Sequence, residues 1–185
     1  MLIPVALAAI LALRGPVPLP GGADVITGMD AFISRDAVHP GETFKAAVSL
    51  KIGPGWHINA NPASDEFLIP TSLEIGDKSG PFHVLDVLYP EPAMVRLGFS
   101  ESAVAVYSDS ALIGVLVRAD GSLRPGTYEL KGNIVFQACN DVSCLPPDRR
   151  DFELEIVVVP AGAETHDAHR EVFKGLKFRP ETAGR

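Results

Sequence analysis

From residue 43 to residue 158 the chain alternates apolar and polar residues in one short segment after another. In 43–52, Phe44, Ala46, Val48, Leu50 and Ile52 alternate with Lys45, Ala47, Ser49 and Lys51. That period of two marks a half-buried strand. Gly53-Pro54-Gly55 ends it, and a further extended piece starts at 56–59. Strands are also predicted at 71–75, 82–89, 103–107 and 112–118, each bounded by Gly, Pro, Asp or Ser. In 128–137, Tyr128, Leu130, Gly132, Ile134 and Phe136 alternate with Glu129, Lys131, Asn133, Val135 and Gln137. Phe152, Leu154, Ile156 and Val158 make the last strand. Seven or more short strands, with no helical pattern before residue 165, predict an all-β, antiparallel sandwich. Residues 59–70 and 90–102 are left as long loops. Such loops in a compact domain tend to carry function.

The two ends depart from this pattern. Residues 2–13 are apolar throughout and Arg14 stops the run. Twelve helical residues span roughly 18 Å, too short for a bilayer core and about the length of a signal-peptide core. Gly21 and Ala23 are small enough to flank a cleavage site before Asp24. A signal peptide or N-terminal anchor is therefore predicted over 1–23, with an exported domain over 24–160. After Pro160 the chain becomes a polar tail, 161–185. Thr165 or Asp167 is expected to cap a short helix over 168–176. His166 and His169 stand at i, i+3 there. That spacing can present two metal ligands on one helix face, but no third is near, so a loosely docked tail is the expected reading.

Composition narrows the classes. With 185 residues, 46% hydrophobic and 21% charged, the chain is a single ordinary globular domain with tails. The net charge of -7 comes with no basic cluster and argues against nucleic acid as a partner. No apolar run reaches the roughly 18 residues of a membrane-spanning helix. Hydrolase and nucleotide-binding readings fail because neither G-x-S-x-G nor a glycine-rich strand-to-helix turn is present. No cofactor is expected.

The chemistry then rests on two cysteines. Cys139 and Cys144 lie in FQACNDVSCLPPDRRDF, directly after the strand ending at Gln137. The spacing lets a turn bring the side chains to the ~3.8 Å Cβ separation of a disulfide. A closed loop of ~6 residues contributes only ~2 kcal/mol on the chain-entropy view, a small staple for a domain of this size. Pro146-Pro147 stiffens the C-terminal side of the loop. Spacing alone leaves a structural disulfide and an exchanging dithiol both open.

The segment FQACNDVSCLPP resembles the cysteine hairpin of the N-terminal periplasmic domain of DsbD, the thiol:disulfide interchange protein. The shared pattern is an aromatic, Gln, a small residue, Cys, a few polar residues, Cys, an aromatic or aliphatic, and two prolines. GWHINANPASDEFLIPTSLEI (55–75) is similar to the family's upstream part, and Val87-Leu88-Tyr89-Pro90 and Val106-Tyr107 also fit. The resemblance spans about 27–159. It implies an immunoglobulin-like β-sandwich and a dithiol–disulfide relay. The expected donor is a thioredoxin-like protein or domain, and the expected acceptors are oxidised periplasmic proteins. By the family's pattern Cys144 is the attacking thiol and Cys139 the resolving one. The family also shields its cysteines with a loop carrying an aromatic residue. By chain order that loop is 94–102, with Phe99 as the cap and Gly98 as a hinge. The triplet Asp65-Glu66-Phe67 ranks second, with Phe67 as its aromatic. His57, Asn59, Asn61 and Glu101 are weaker candidates for neighbours of the cysteines, whereas Trp56 reads as core. The family's full transporter continues into a membrane domain and a thioredoxin domain. Neither follows before Arg185, and the sequence holds no C-x-x-C, so electrons are expected from another polypeptide. The competing reading is a non-enzymatic protein-binding sandwich with a static disulfide.

Overall fold

The computed structural model describes residues 24–178; the leader predicted over 1–23 lies outside the described residues. Eleven strands and one helical turn follow in order. They are β1 (Ile26–Ile33), β2 (Thr43–Ile52), β3 (His57–Asn59), β4 (Ser72–Ile75), β5 (Phe82–Leu88) and β6 (Ala93–Val95). Then come β7 (Val104–Ser108), β8 (Ser110–Ala119), β9 (Gly126–Phe136), β10 (Ala138–Cys139), β11 (Asp148–Val158) and α1 (Arg170–Phe173). They form three antiparallel sheets, ordered β1-β2-β8-β5, β10-β3-β7-β6 and β11-β9-β4. The fold is an immunoglobulin-like β-sandwich. No helix among the described residues is long and apolar enough to cross a membrane.

The alternation read in the sequence sets which faces meet. In β2 the residues Phe44, Ala46, Val48, Leu50 and Ile52 are buried, and in β11 so are Phe152, Leu154, Ile156 and Val158. Register pairs Val48 with Ile113 across β2 and β8, and Leu154 with Leu130 across β11 and β9. One apolar cluster joins buried residues from all three sheets, with Trp56 packed on it. Full burial of each such Val, Leu or Ile contributes about 1.5–3 kcal/mol. Gly132 stands opposite Phe152 in register. A Cβ there would lie 2.9 Å from Phe152 Cε1, so the bare position makes room for the ring.

The sequence pattern did not show three strands. In β1 a register shift between Ile26 and Gly28 breaks the alternation. β6 and β10 have three and two residues, too few for a period to show.

The tail carries the short helix expected, in narrower bounds and with a different residue before it. The helix is a single turn, Arg170–Phe173, and the residue before it is His169 at φ 49 with no side-chain cap. Thr165 and Asp167 lie before the cap position and go to Arg35 instead: its guanidinium donates to Thr165 Oγ1 and, at 2.9 Å, to Asp167 Oδ1. The tail is docked rather than loose. The Asp36 and Ala168 N–H groups donate to the His166 and Ser34 carbonyls. His166 Nδ1 lies 3.0 Å from Asp36 Oδ2, and the His169 ring packs on Phe32. Phe173 is buried. Leu176 and Phe178 lie over Gly114 of β8, where a Cβ would be 3.0 Å from Leu176 Cδ1.

Candidate functional site

The site is built on the sheet β10-β3-β7-β6, whose two faces bury different things. Ile58, Ala105, Tyr107 and Ala138 point into the main core. The alternate residues Cys139, Val104 and Val106 join Leu97 in a second, separate apolar cluster. Leu68, Val95 and Cys144 pack against that cluster. Register places Cys139 beside His57, and Asn59 beside Val106. Period two therefore puts His57 and Asn59 on the cysteine face.

Cys139 and Cys144 are joined by a disulfide. The hairpin between them is shaped by Asn140, whose Oδ1 accepts from the N–H groups of Val142 and Ser143, both at 2.9 Å. An Asn side chain closing on its own following backbone is a turn in itself. Asn140 N–H donates to Ser143 O, and Leu145 N–H to Ala138 O at 2.8 Å. The two sulfurs are not equivalent. Cys139 is 0% exposed, whereas Cys144 is only half-buried.

Two loops cover this cluster. In the loop after β6, Leu97 is buried beside the disulfide and Gly98 N–H donates to Asp141 O at 3.0 Å. A Cβ on Gly98 would stand 2.5 Å from that carbonyl oxygen, so the approach requires glycine. Phe99 is next, 43% exposed, and Glu101 is exposed in the same loop. The second loop, 60–71, is closed at its base, where Thr71 donates through N–H and Oγ1 to Asn59 O at 3.1 and 2.6 Å. From this loop Leu68 reaches the cluster, while Phe67 points away, 82% exposed.

The polar groups around the sulfurs are tightly constrained. Asn59 is fully buried, and its Nδ2 donates to Ile69 O at 3.1 Å and to Gln137 Oε1 at 3.0 Å. Its Oδ1 then faces Cys139 Sγ at 3.7 Å. Gln137 ties three segments together. Its Oε1 also accepts from Ile69 N–H, and its Nε2 donates to Leu145 O. His57 Nδ1 lies 2.7 Å from Ser108 Oγ. Asn61 N–H donates to the Tyr107 hydroxyl, and Asn61 Nδ2 to Thr71 O. Burial holds the Tyr107 hydroxyl above its ordinary 10.0, so it serves this contact as a neutral acceptor. Among the described residues no group of three or more His, Cys, Asp or Glu could hold a metal ion.

The structure thus brings Cys139, Cys144, His57, Asn59, Gly98 and Phe99 into one region and leaves Phe67 and Glu101 on its outside. Sequence reasoning missed Leu97, Leu68, Val104 and Val106 as the lining, and Gln137 as the clamp. One signal was available: AVAVY (103–107) is apolar on both faces, the mark of a strand covered on both sides.

An immunoglobulin-like sandwich carrying a disulfide hairpin under a covering loop defines the class of this molecule. The profile of the family described as thiol:disulfide interchange protein DsbD, N-terminal, matches residues 23–156. The chain belongs to that family. Similar solved structures include the reduced DsbD N-terminal domain of Neisseria meningitidis, at 17% identity and TM-score 0.39, covering 74% of this chain and 89% of that one. The N-terminal periplasmic domain of ScsB from Proteus mirabilis has 13% identity and TM-score 0.44, with 70% of this chain and 45% of that one covered. A complex between the DsbD N-terminal and PilB N-terminal domains of Neisseria meningitidis matches at 13% identity and TM-score 0.41, over 66% and 80% of the two chains. The search of curated proteins finds no match to this chain.

Proposed function

We propose that this protein exchanges thiols and disulfides with other proteins of the bacterial cell envelope through Cys139 and Cys144. The observation that carries the reading is the asymmetry of the pair. Cys139 is sealed in its own small apolar cluster, while Cys144 reaches the surface beneath a loop that is held to the hairpin by one backbone hydrogen bond. Family membership supports the same chemistry. The surroundings suit a protein partner. Of the seven exposed large apolar residues among those described, Phe67, Ile69, Phe99, Val142 and Leu145 belong to the hairpin and its two flanking loops. Apolar side chains gathered around a reactive group mark a docking face.

In this reading a thioredoxin-like donor reduces the pair with two electrons, leaving two thiols. The Cys144 thiolate then attacks a sulfur of an oxidised envelope protein and forms a mixed disulfide, and the displaced partner sulfur leaves as thiolate. Cys139 next attacks Cys144 Sγ. Its proton passes to the second departing sulfur, the intramolecular disulfide re-forms, and the partner leaves as a dithiol. Phe99 and Gly98 are the aromatic and the pivot of the covering loop, which must move for a partner sulfur to reach Cys144. A disulfide that persists fits the oxidising periplasm, where residues 1–23 would direct the chain.

The reduction potential of the pair, measured in defined glutathione buffers, tests the proposal. Exchange-competent pairs fall between about -120 and -270 mV, and structural disulfides below about -300 mV. A value in the first range, with Cys139→Ala trapping envelope proteins on Cys144, is the expected result. A value in the second range, with no trapped partner, leaves a binding module with a static staple.

A further inference from the structure

The Asn59 side chain is committed on one side and exposed to a change of chemistry on the other. Both of its amide hydrogens are taken, by Ile69 O and Gln137 Oε1. Its orientation is therefore fixed, with Oδ1 toward Cys139 Sγ at 3.7 Å in a fully buried setting. In the disulfide that sulfur bears no hydrogen. The carbonyl oxygen thus faces an atom that cannot donate, an unfavourable position for a buried acceptor. Two-electron reduction places a hydrogen on the sulfur, and Cys139 S–H then has an acceptor already aimed at it.

We propose that Asn59 is a positioning residue that reads the redox state of Cys139: its Oδ1 accepts a hydrogen bond from the reduced thiol and gains nothing from the disulfide. Two consequences follow. The dithiol is favoured over the disulfide, which makes the pair a better oxidant. Within the dithiol, an acceptor at Cys139 favours its protonated form, because a hydrogen bond made only by the neutral state disfavours ionisation. The thiolate is left to Cys144, whose sulfur is the accessible one. This is a physical basis for the division into attacking and resolving thiols, and it rests on the exchange reading above. The titratable side chains in the surrounding elements are His57 on β3, Tyr107 on β7, whose side chain lies in the main core, Asp65 and Glu66 in loop 60–71, Arg96 and Glu101 in the covering loop, and Asp141 in the hairpin. His57 is turned to Ser108 Oγ. Asn59 Oδ1 is the side-chain acceptor in contact with Cys139 Sγ.

The bond itself is read without any exchange activity. In the full chain carrying Cys144→Ala, the remaining Cys139 S–H gives one infrared stretching band. The expected band is displaced to the frequency of a hydrogen-bonded thiol, and it returns to the free position when Asn59→Ala is added. A Cys139 band already at the free position overturns the proposal, and that measurement needs no substitution at Asn59. With both cysteines present, Asn59→Ala is expected to shift the glutathione equilibrium about tenfold toward the disulfide, which is about 30 mV more negative. An unchanged equilibrium in a folded Asn59→Ala protein also overturns it. Failure of the exchange reading looks different: a displaced S–H band together with no partner trapped by Cys139→Ala.

Discussion

At the scale of single residues, the tightest fit at the site is Gly98 against Asp141. A methyl group at Gly98 would sit 2.5 Å from the Asp141 carbonyl oxygen. Backbone on both sides leaves no flexible side chain to yield. Gly98→Ala is therefore expected to lift the covering loop off the hairpin, at a loss of about 1–3 kcal/mol as for other overpacked positions. Reduction of the disulfide by dithiothreitol should become several-fold faster, measured by quenched thiol counting over time. Gly121→Ala is the control, because nothing lies within 4 Å of a Cβ there; an equal rate in both variants would rule out the loop as a barrier. The cysteines were legible in the sequence because only two exist and a double proline follows them. Asn59 was legible only as a neighbour. Its role depends on β10, β3 and the loop at Ile69 converging on one amide. Such a contact has no local sequence signal.

At the scale of elements, long alternating strands could be read and short ones could not. β2 runs over the residues that its period predicts, and β9 and β11 start earlier than theirs. β1 was hidden by its bulge, and β6 and β10 by their brevity. The tail's short helix was legible, but not the partners of its polar residues, which lie about 130 positions earlier in the chain. One of those partners gives a pH prediction. Asp36 is held below the ordinary 3.8, first by the His166 N–H and then by the His166 ring. A carboxylate with a lowered folded value contributes fully above its unfolded value and loses that contribution as pH falls through the folded one. The clasp between Asp36 and the tail should therefore hold above the ordinary carboxylate range and loosen in acid below 3.8. Limited proteolysis of the tail with an acid-active protease, read at Phe173 and Leu176, checks it. Cleavage should rise on acidification in the native protein and be high at all pH values in Asp36→Ala. A native profile flat with pH would show that other tail contacts suffice.

For the molecule as a whole, the separation of the two apolar clusters matters most. The main cluster joins all three sheets, whereas the disulfide sits in the smaller one behind a single sheet. A protein that cycles between disulfide and dithiol must keep its fold in both states, and this layout lets the sandwich do so. The disulfide closes a short loop, Cys139 and Cys144 being five positions apart. On the chain-entropy view its removal costs about 2 kcal/mol. For a domain of this size each kcal/mol moves Tm by about 2–4 °C. Reduction is thus expected to lower Tm by about 4–8 °C while the far-ultraviolet circular dichroism of the sandwich is retained. The new Cys139 thiol bond to Asn59 should offset part of this, so Asn59→Ala should widen the gap between oxidised and reduced Tm. Paired thermal melts with and without reductant measure both quantities. Loss of the β-sheet signal on reduction at room temperature would mean that the disulfide holds the fold, and such a bond cannot be opened and closed in each round of exchange.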